Sequence, residues 1–267
     1  MTAKKPTEPA YGWSGRVGLI VPPANLTIEP ELAAMLPEGV SLHVARLPGQ
    51  VSEDTSIGLR ERFEAYNRTL SATANSFGGA SLSALCLGVT GCCYLAARAD
   101  GEERLLTDLR AGGAPHVITA ARAIRLLLEA FGCRRVALVT PYPEWVVELA
   151  KTYWRSSGFE IVAIVPLPDV VSIYAVNTEK VVAAVRELET SGAEAIVLSG
   201  TGVATLPAIE TLIESAAVPV ISSNLSLGWW ILETLGQGRH LESPSSALRS
   251  VYRWIKSTAP KTKDPDR

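Results

Sequence analysis

Two short turns in this chain, Thr90-Gly91 and Thr201-Gly202, each follow an apolar run and set a hydroxyl beside a glycine. A glycine has no Cβ to bar an approaching group, and N–H groups at the start of a following helix carry partial positive charge, so such a turn can cradle a carboxylate. It can equally do no more than end a strand and turn the chain. Asn25, within Val21-Pro-Pro-Ala-Asn-Leu-Thr-Ile-Glu29, is placed either to donate and accept at the mouth of a site or to shape a turn, with Thr27 suited to a helix N-cap and Pro30 to the first turn. Tyr142, in Thr140-Pro-Tyr-Pro143, offers a phenolic hydrogen bond to an oxyanion or a packed ring in a Pro-rich turn. Cys92 and Cys93 come directly after Thr90-Gly91. A thiol becomes a useful base or nucleophile when a helix N-terminus or a cation lowers its pKa from about 8.5, and these two are better placed for that than Cys86 inside an apolar run. The alternative is a pair of small residues packed at a helix start. Cys133, next to Gly132, reads as structural.

Other chemistry is disfavoured. His43, His116 and His240 are scattered and no C-x-x-C spacing occurs, so no metal site is expected. There is no G-x-G-x-x-G or P-loop for a nucleotide, and no cofactor is implied. The formal charge of −2 arises from 25 basic and 27 acidic residues spread along the chain, which leaves no basic stripe for a nucleic acid. No apolar run approaches the roughly 20 residues of a membrane span, and the first residues hold no secretory segment, so a soluble cytoplasmic protein with reduced thiols is expected.

These turns need elements to hold them. Buried-strand patterns occupy 17–21, 82–89, 136–140, 161–165, 195–199 and 218–222. Helical spacing occupies 60–73, 102–109, 119–131, 144–156, 178–191 and 206–216, with Gly132, Gly158 and Gly192 where C-terminal caps belong. Such alternation implies parallel sheets with helices on both faces, which bind ligands beyond the carboxyl ends of their strands. Three pairs of segments recur in the same order in the two halves. Arg16-Val-Gly-Leu-Ile-Val-Pro-Pro23 matches Arg135-Val-Ala-Leu-Val-Thr-Pro-Tyr142, Leu87-Gly-Val-Thr-Gly91 matches Leu198-Ser-Gly-Thr-Gly202, and Pro115-His-Val-Ile-Thr119 matches Pro219-Val-Ile-Ser-Ser223. This predicts a duplicated lobe, with the turns of both copies converging on one crevice. The expected division is 14–122 plus 226–256 for the first lobe and 123–225 for the second, with tails at 1–13 and 257–267. Trp229-Trp230 reads as a helix packed between lobes or as a dimer surface, and a homo-oligomer is possible.

From about Val17 to Leu235 the chain resembles the maleate cis-trans isomerase and arylmalonate decarboxylase branch of the aspartate/glutamate racemase superfamily. The residues that carry the likeness are Gly18-Leu-Ile-Val-Pro-Pro-Ala-Asn-Leu-Thr-Ile-Glu-Pro-Glu31, the strand end at Thr90, Arg135 to Tyr142, Leu198-Ser-Gly-Thr-Gly-Val-Ala-Thr-Leu-Pro207 and Pro219 to Ser223. The resemblance implies two pseudo-symmetric flavodoxin-like α/β lobes that enclose a small carboxylate or dicarboxylate without cofactor. It gives Asn25 and Tyr142 binding roles, makes Thr90 and Thr201 with Gly91, Gly200 and Gly202 a carboxylate cradle, and assigns catalysis to thiols at strand ends. Here the sequence departs from the pattern. Gly200 stands where similar proteins have the second catalytic cysteine, and the first-lobe position falls within Leu87 to Val89, leaving Cys86 just before it and Cys92 and Cys93 just after, with none on it. Two-base racemisation, which needs a proton carrier on each face of the carbon, is disfavoured. One-sided isomerisation or decarboxylation remains, as does a carboxylate-binding protein without catalysis.

Overall fold

The computed structural model describes residues 9–49, 56–96, 99–167, 173–188, 192–238 and 245–258. His240, most of the expected tails and the end of the helix expected over 178–191 lie outside them. Two four-stranded parallel sheets form the frame. The first joins β1 (Gly15–Val21), β2 (Val40–Arg46), β3 (Ala84–Leu87) and β4 (His116–Thr119) in the order β2-β1-β3-β4. The second joins β5 (Arg135–Thr140), β6 (Glu160–Pro166), β7 (Ala195–Leu198) and β8 (Val220–Ser222) in the order β6-β5-β7-β8. The two orders are the same, as a duplicated lobe requires. The inner strands β3 and β7 are buried along their whole length, the pattern of a sheet covered on both faces.

Ten helices surround the sheets among the described residues: α1 (Ile28–Met35), α2 (Ser56–Asn75), α3 (Thr90–Leu95), α4 (Ala99–Arg110), α5 (Ala120–Phe131), α6 (Glu144–Ser156), α7 (Thr178–Glu187), α8 (Leu206–Leu212), α9 (Ser223–Thr234) and α10 (Ser246–Thr258). Gly132 ends α5 with φ 72°, the left-handed conformation expected at that cap. α5 and α9 follow equivalent strands and pack against each other, so the two lobes share a helical centre. α9 is buried on nearly every side, and Met35 lies where a Cβ on Gly228 would be. Trp229 is buried and Trp230 packs partly against the core, which is the packing alternative for this pair.

Three expectations needed correction. β2 went unread because its side chains are half-exposed throughout, leaving no buried run to recognise. Residues 257 and 258 close α10, and in the other tail Trp13 covers Gly39, whose Cβ would fall within 2.5 Å of the indole. The third repeat is shifted by one residue. Leu87 pairs with Thr119 in the first sheet and Leu198 with Ser222 in the second, so Thr119 corresponds to Ser222 rather than Ser223. Both cap the helix that follows: Thr119 Oγ1 accepts from Arg122 N, and Ser222 Oγ from Leu225 N. No helix among the described residues is long and apolar enough to cross a membrane.

Candidate functional site

The duplicated strand ends meet. Gly88 N donates to Ile20 O at 2.8 Å and Ser199 N donates to Val139 O at 2.9 Å, equivalent bonds that align Gly88 with Ser199, Val89 with Gly200, Thr90 with Thr201 and Gly91 with Gly202. Across the interface, Asn25 Nδ2 donates to Thr201 Oγ1 at 3.1 Å, and Thr201 Oγ1 donates to Gly88 O at 2.7 Å. Thr90 Oγ1 donates to Ser223 Oγ at 3.0 Å, and Gly200 N donates to the same oxygen at 3.1 Å. Asn25, Thr90, Thr201, Ser223 and Asn224 are all buried, so this is an interior polar network in which each bond is strengthened by the low local dielectric.

Asn25 is doubly employed. Its Oδ1 accepts from Thr27 N and Ile28 N, so it caps α1 while its amide reaches the second lobe. Thr27, which sits at the N-cap position, makes no capping bond; its hydroxyl donates instead to Gly202 O at 2.9 Å. Four residues on, Glu31 Oε1 accepts from Thr205 N at 2.6 Å and Leu206 N at 2.8 Å, and its Oε2 accepts from Thr205 Oγ1 at 3.1 Å and Asn224 Nδ2 at 2.7 Å. Burial pushes this carboxyl above its usual range, and the four donors pull it back. The segment 25–31 is thereby fastened to 201–206 along its length. A second buried carboxylate, Glu102 of the first lobe, accepts from Tyr153 of the second at 3.1 Å. Sequence reading placed Glu31 in a helix but gave it no partner, because its partners lie 174 and 193 residues away.

The two glycines expected to open the turns do admit a neighbour, but it is a ring. A Cβ on Gly91 would fall 2.3 Å from Phe63 Cζ, and one on Gly202 would fall 2.6 Å from Tyr174 Cε1. The hydroxyl protons of Thr90 and Thr201 are both spent on protein acceptors. Tyr142 is buried edge-on to Phe63 and to Tyr94, and burial raises its pKa well above the usual phenol. Its hydroxyl lies 3.5 Å from where a Cβ on Gly200 would be. Tyr94, unread in the sequence, bonds Ser199 Oγ at 2.9 Å and accepts from Trp154 Nε1 at 3.2 Å.

The thiols make their bonds within the first lobe, although Cys92 and Cys93 both lie close enough to Tyr142 to help raise its pKa. Cys92 Sγ contacts Phe63 O at 3.8 Å and Cys93 Sγ donates to Val89 O at 3.4 Å, both within the first lobe. Neither sulfur bonds Thr90 or Thr201. The expected lowering of their pKa is reversed: desolvation pushes Cys92 well above its ordinary value and Cys93 up to about 12, because α3 is only six residues long and offers too little dipole to offset complete burial. Position by position, the strand ends present Val89 and Gly200, and no thiol at either. All four cysteines are buried, which keeps their thiols protonated and shielded from reagents. We therefore expect Ellman's reagent to label none of Cys86, Cys92, Cys93 and Cys133 within an hour in the folded protein and all four in 6 M guanidinium; rapid labelling of one thiol in the native protein would contradict the burial described.

Residues 17–248 match the family described as arylmalonate decarboxylase. The maleate isomerase of Geobacillus stearothermophilus is 27% identical over 256 residues, which span 89% of this chain and 98% of that protein. A solved maleate cis-trans isomerase from Nocardia farcinica, a mutant with a covalently bound succinylcysteine intermediate, shares the fold with a TM-score of 0.74 at 24% identity, over 88% of this chain and 98% of that one. A solved arylmalonate decarboxylase double mutant in liganded form aligns with a TM-score of 0.71 at 26% identity, over 84% and 94% of the two chains.

Proposed function

The chain belongs to the arylmalonate decarboxylase family, and from that premise we propose that it is a cofactor-independent isomerase of a small dicarboxylate, like the maleate isomerases it matches from end to end. The observation that carries the proposal is the meeting of the two duplicated corners, with Asn25 bonded to Thr201 and Thr201 to Gly88. A small dicarboxylate held beside it lies between the Asn25 amide of the first lobe, which has a second proton to give, and the Tyr142 hydroxyl of the second. Rotation about a carbon–carbon double bond follows when a nucleophile adds at one alkene carbon and the π pair passes into the carboxylate on the other, giving an enediolate that preorganised donors stabilise; after rotation the pair returns and the nucleophile leaves. With Val89 and Gly200 at the strand ends, no thiolate adds to the carbon from those positions, so the adding group is a solvent water, released again on elimination, while protein donors stabilise the enediolate.

That same observation favours a second reading, decarboxylation of a malonate. Loss of carbon dioxide needs no attacking group: the electron pair passes into the remaining carboxylate, giving the same enediolate, and one proton delivered to one face completes the reaction. Tyr142, beside Gly200, is placed to supply it. Proton NMR of purified protein with maleate and, separately, phenylmalonate, in buffer containing EDTA, decides between them. Fumarate supports the first reading and phenylacetate the second. If neither forms, the enzyme proposal fails, and a melting temperature raised by either diacid then identifies a carboxylate-binding protein.

A further inference from the structure

We infer that Ser223 supplies the hydroxyl that holds a ligand carboxylate at the second-lobe strand end. This deepens the functional reading above and rests on it. The inference follows from where the buried protons go. Thr90 gives its proton to Ser223 Oγ and Thr201 gives its own to Gly88 O, so neither threonine has one left for a ligand. Ser223 Oγ is 0% exposed and accepts twice, from Thr90 Oγ1 at 3.0 Å and from Gly200 N at 3.1 Å. With the Cβ bond and two acceptor directions taken, its own proton occupies the remaining direction, and it meets no acceptor among the described residues. The Tyr142 hydroxyl, in a residue only 7% exposed, likewise makes no hydrogen bond among the described residues and faces Gly200 at 3.5 Å from its Cβ position. The unspent proton of Ser223 and the Tyr142 hydroxyl thus converge on Gly200, the residue that replaces the second thiol. A buried donor without a partner is costly, whereas one carboxylate oxygen between these two would satisfy both with charge-assisted bonds.

The fold does not require this serine. The corrected register makes Ala120 its counterpart in the first lobe, and α5 starts there without a hydroxyl because Thr119 already provides the cap. In α9 the capping duty belongs to Ser222, so the hydroxyl of Ser223 is additional to it. The first turn of this twelve-residue helix also favours negative charge.

The test is calorimetric titration of maleate and of phenylmalonate into the parent protein, S223A and S226A. Ser226 bonds only the carbonyl of Ser222 one turn along the same helix, and so controls for loss of a buried hydroxyl. S223A is expected to weaken the diacid that binds by roughly tenfold or more, the effect of losing one charge-assisted hydrogen bond, with S226A within about twofold of the parent. S223C, of similar size but a weak donor, is expected to show the same loss and takes the place of S223A if that variant does not fold. A serine that only props up the Gly200 turn would lower the melting temperature and leave affinity unchanged; parent-like affinity in a folded S223A or S223C overturns the inference while the functional reading stands. If the parent binds neither diacid, both fall.

Discussion

Replacing Glu31 by alanine is expected to cost the fold about 3 to 5 kcal/mol, since it leaves buried N–H groups without an acceptor at about 1 to 3 kcal/mol each and removes a packed side chain. Four donors converge on this carboxylate, two of them the N–H groups of Thr205 and Leu206 that open α8. Thr205 itself makes no capping bond to its helix, so the cap is supplied from the other lobe. Alanine leaves the N–H groups of Thr205 and Leu206 without an acceptor in a place water does not reach, while Thr205 Oγ1 and Asn224 fall back on Ser222 Oγ and Thr201 O. The same change releases Asn224, whose amide also donates to Thr201 O at 3.1 Å, and with it the corner that carries Thr201. At roughly 2 to 4 °C per kcal/mol for a protein of this size, the melting temperature should fall by about 6 to 20 °C. Glu29, two residues earlier, is the comparison. It pairs with Arg46 at the surface, with 31% of its side chain exposed, and E29A is expected to cost about 1 kcal/mol at most. Urea denaturation of both variants measures the contrast. Equal losses would show that Glu31 does not fasten the lobes.

Why Glu29 and Glu31 look alike in sequence and differ so much in the structure shows where sequence reading stops. The buried strands were legible because each is an uninterrupted apolar run, and the duplication because equivalent turns must repeat the same small and hydroxyl residues. The strand-end alignment of Thr90 with Thr201 came through for that reason. The edge strand β2, half-exposed, left no such trace. Partners across the lobe interface are set by packing between segments more than a hundred residues apart, and composition carries no record of them. Ser223 was hidden for a simpler reason: a one-residue offset in the third repeat paired it with Thr119, whereas its counterpart is Ala120 and nothing in the first lobe marks its hydroxyl. The cysteines misled in the opposite direction. Their position after Thr90-Gly91 suggested activated thiols, but complete burial in a six-residue helix packed among α2, α5 and α6 raises a thiol's pKa.

Reintroducing a thiol at each strand end should give unequal outcomes, because the two positions differ in backbone. Val89 is extended, with φ −141° and ψ 94°, a conformation any residue adopts, and it is 3% exposed. V89C is close in volume to the parent and is expected to cost less than about 1.5 kcal/mol. Gly200 has φ +115°, and a Cβ there would also lie 3.2 Å from Pro141 Cγ. G200C is expected to cost about 1 to 3 kcal/mol through backbone strain, or to force the turn to rearrange. The chemistry should follow the geometry. A cysteine at Val89 stands at the strand end equivalent to Gly200 in the other lobe and supplies the adding group that the parent lacks there. Fumarate formation from maleate should rise by about a hundredfold or more over the parent, in the range of one well-placed catalytic group. G200C alone should bring no comparable gain, and the double variant should be no faster than V89C. Initial rates followed by the absorbance of the double bond, together with melting curves for each variant, check both halves. A G200C protein as stable as the parent would refute the strain argument, and a folded V89C that iodoacetamide alkylates yet that turns over no maleate would refute the chemical one.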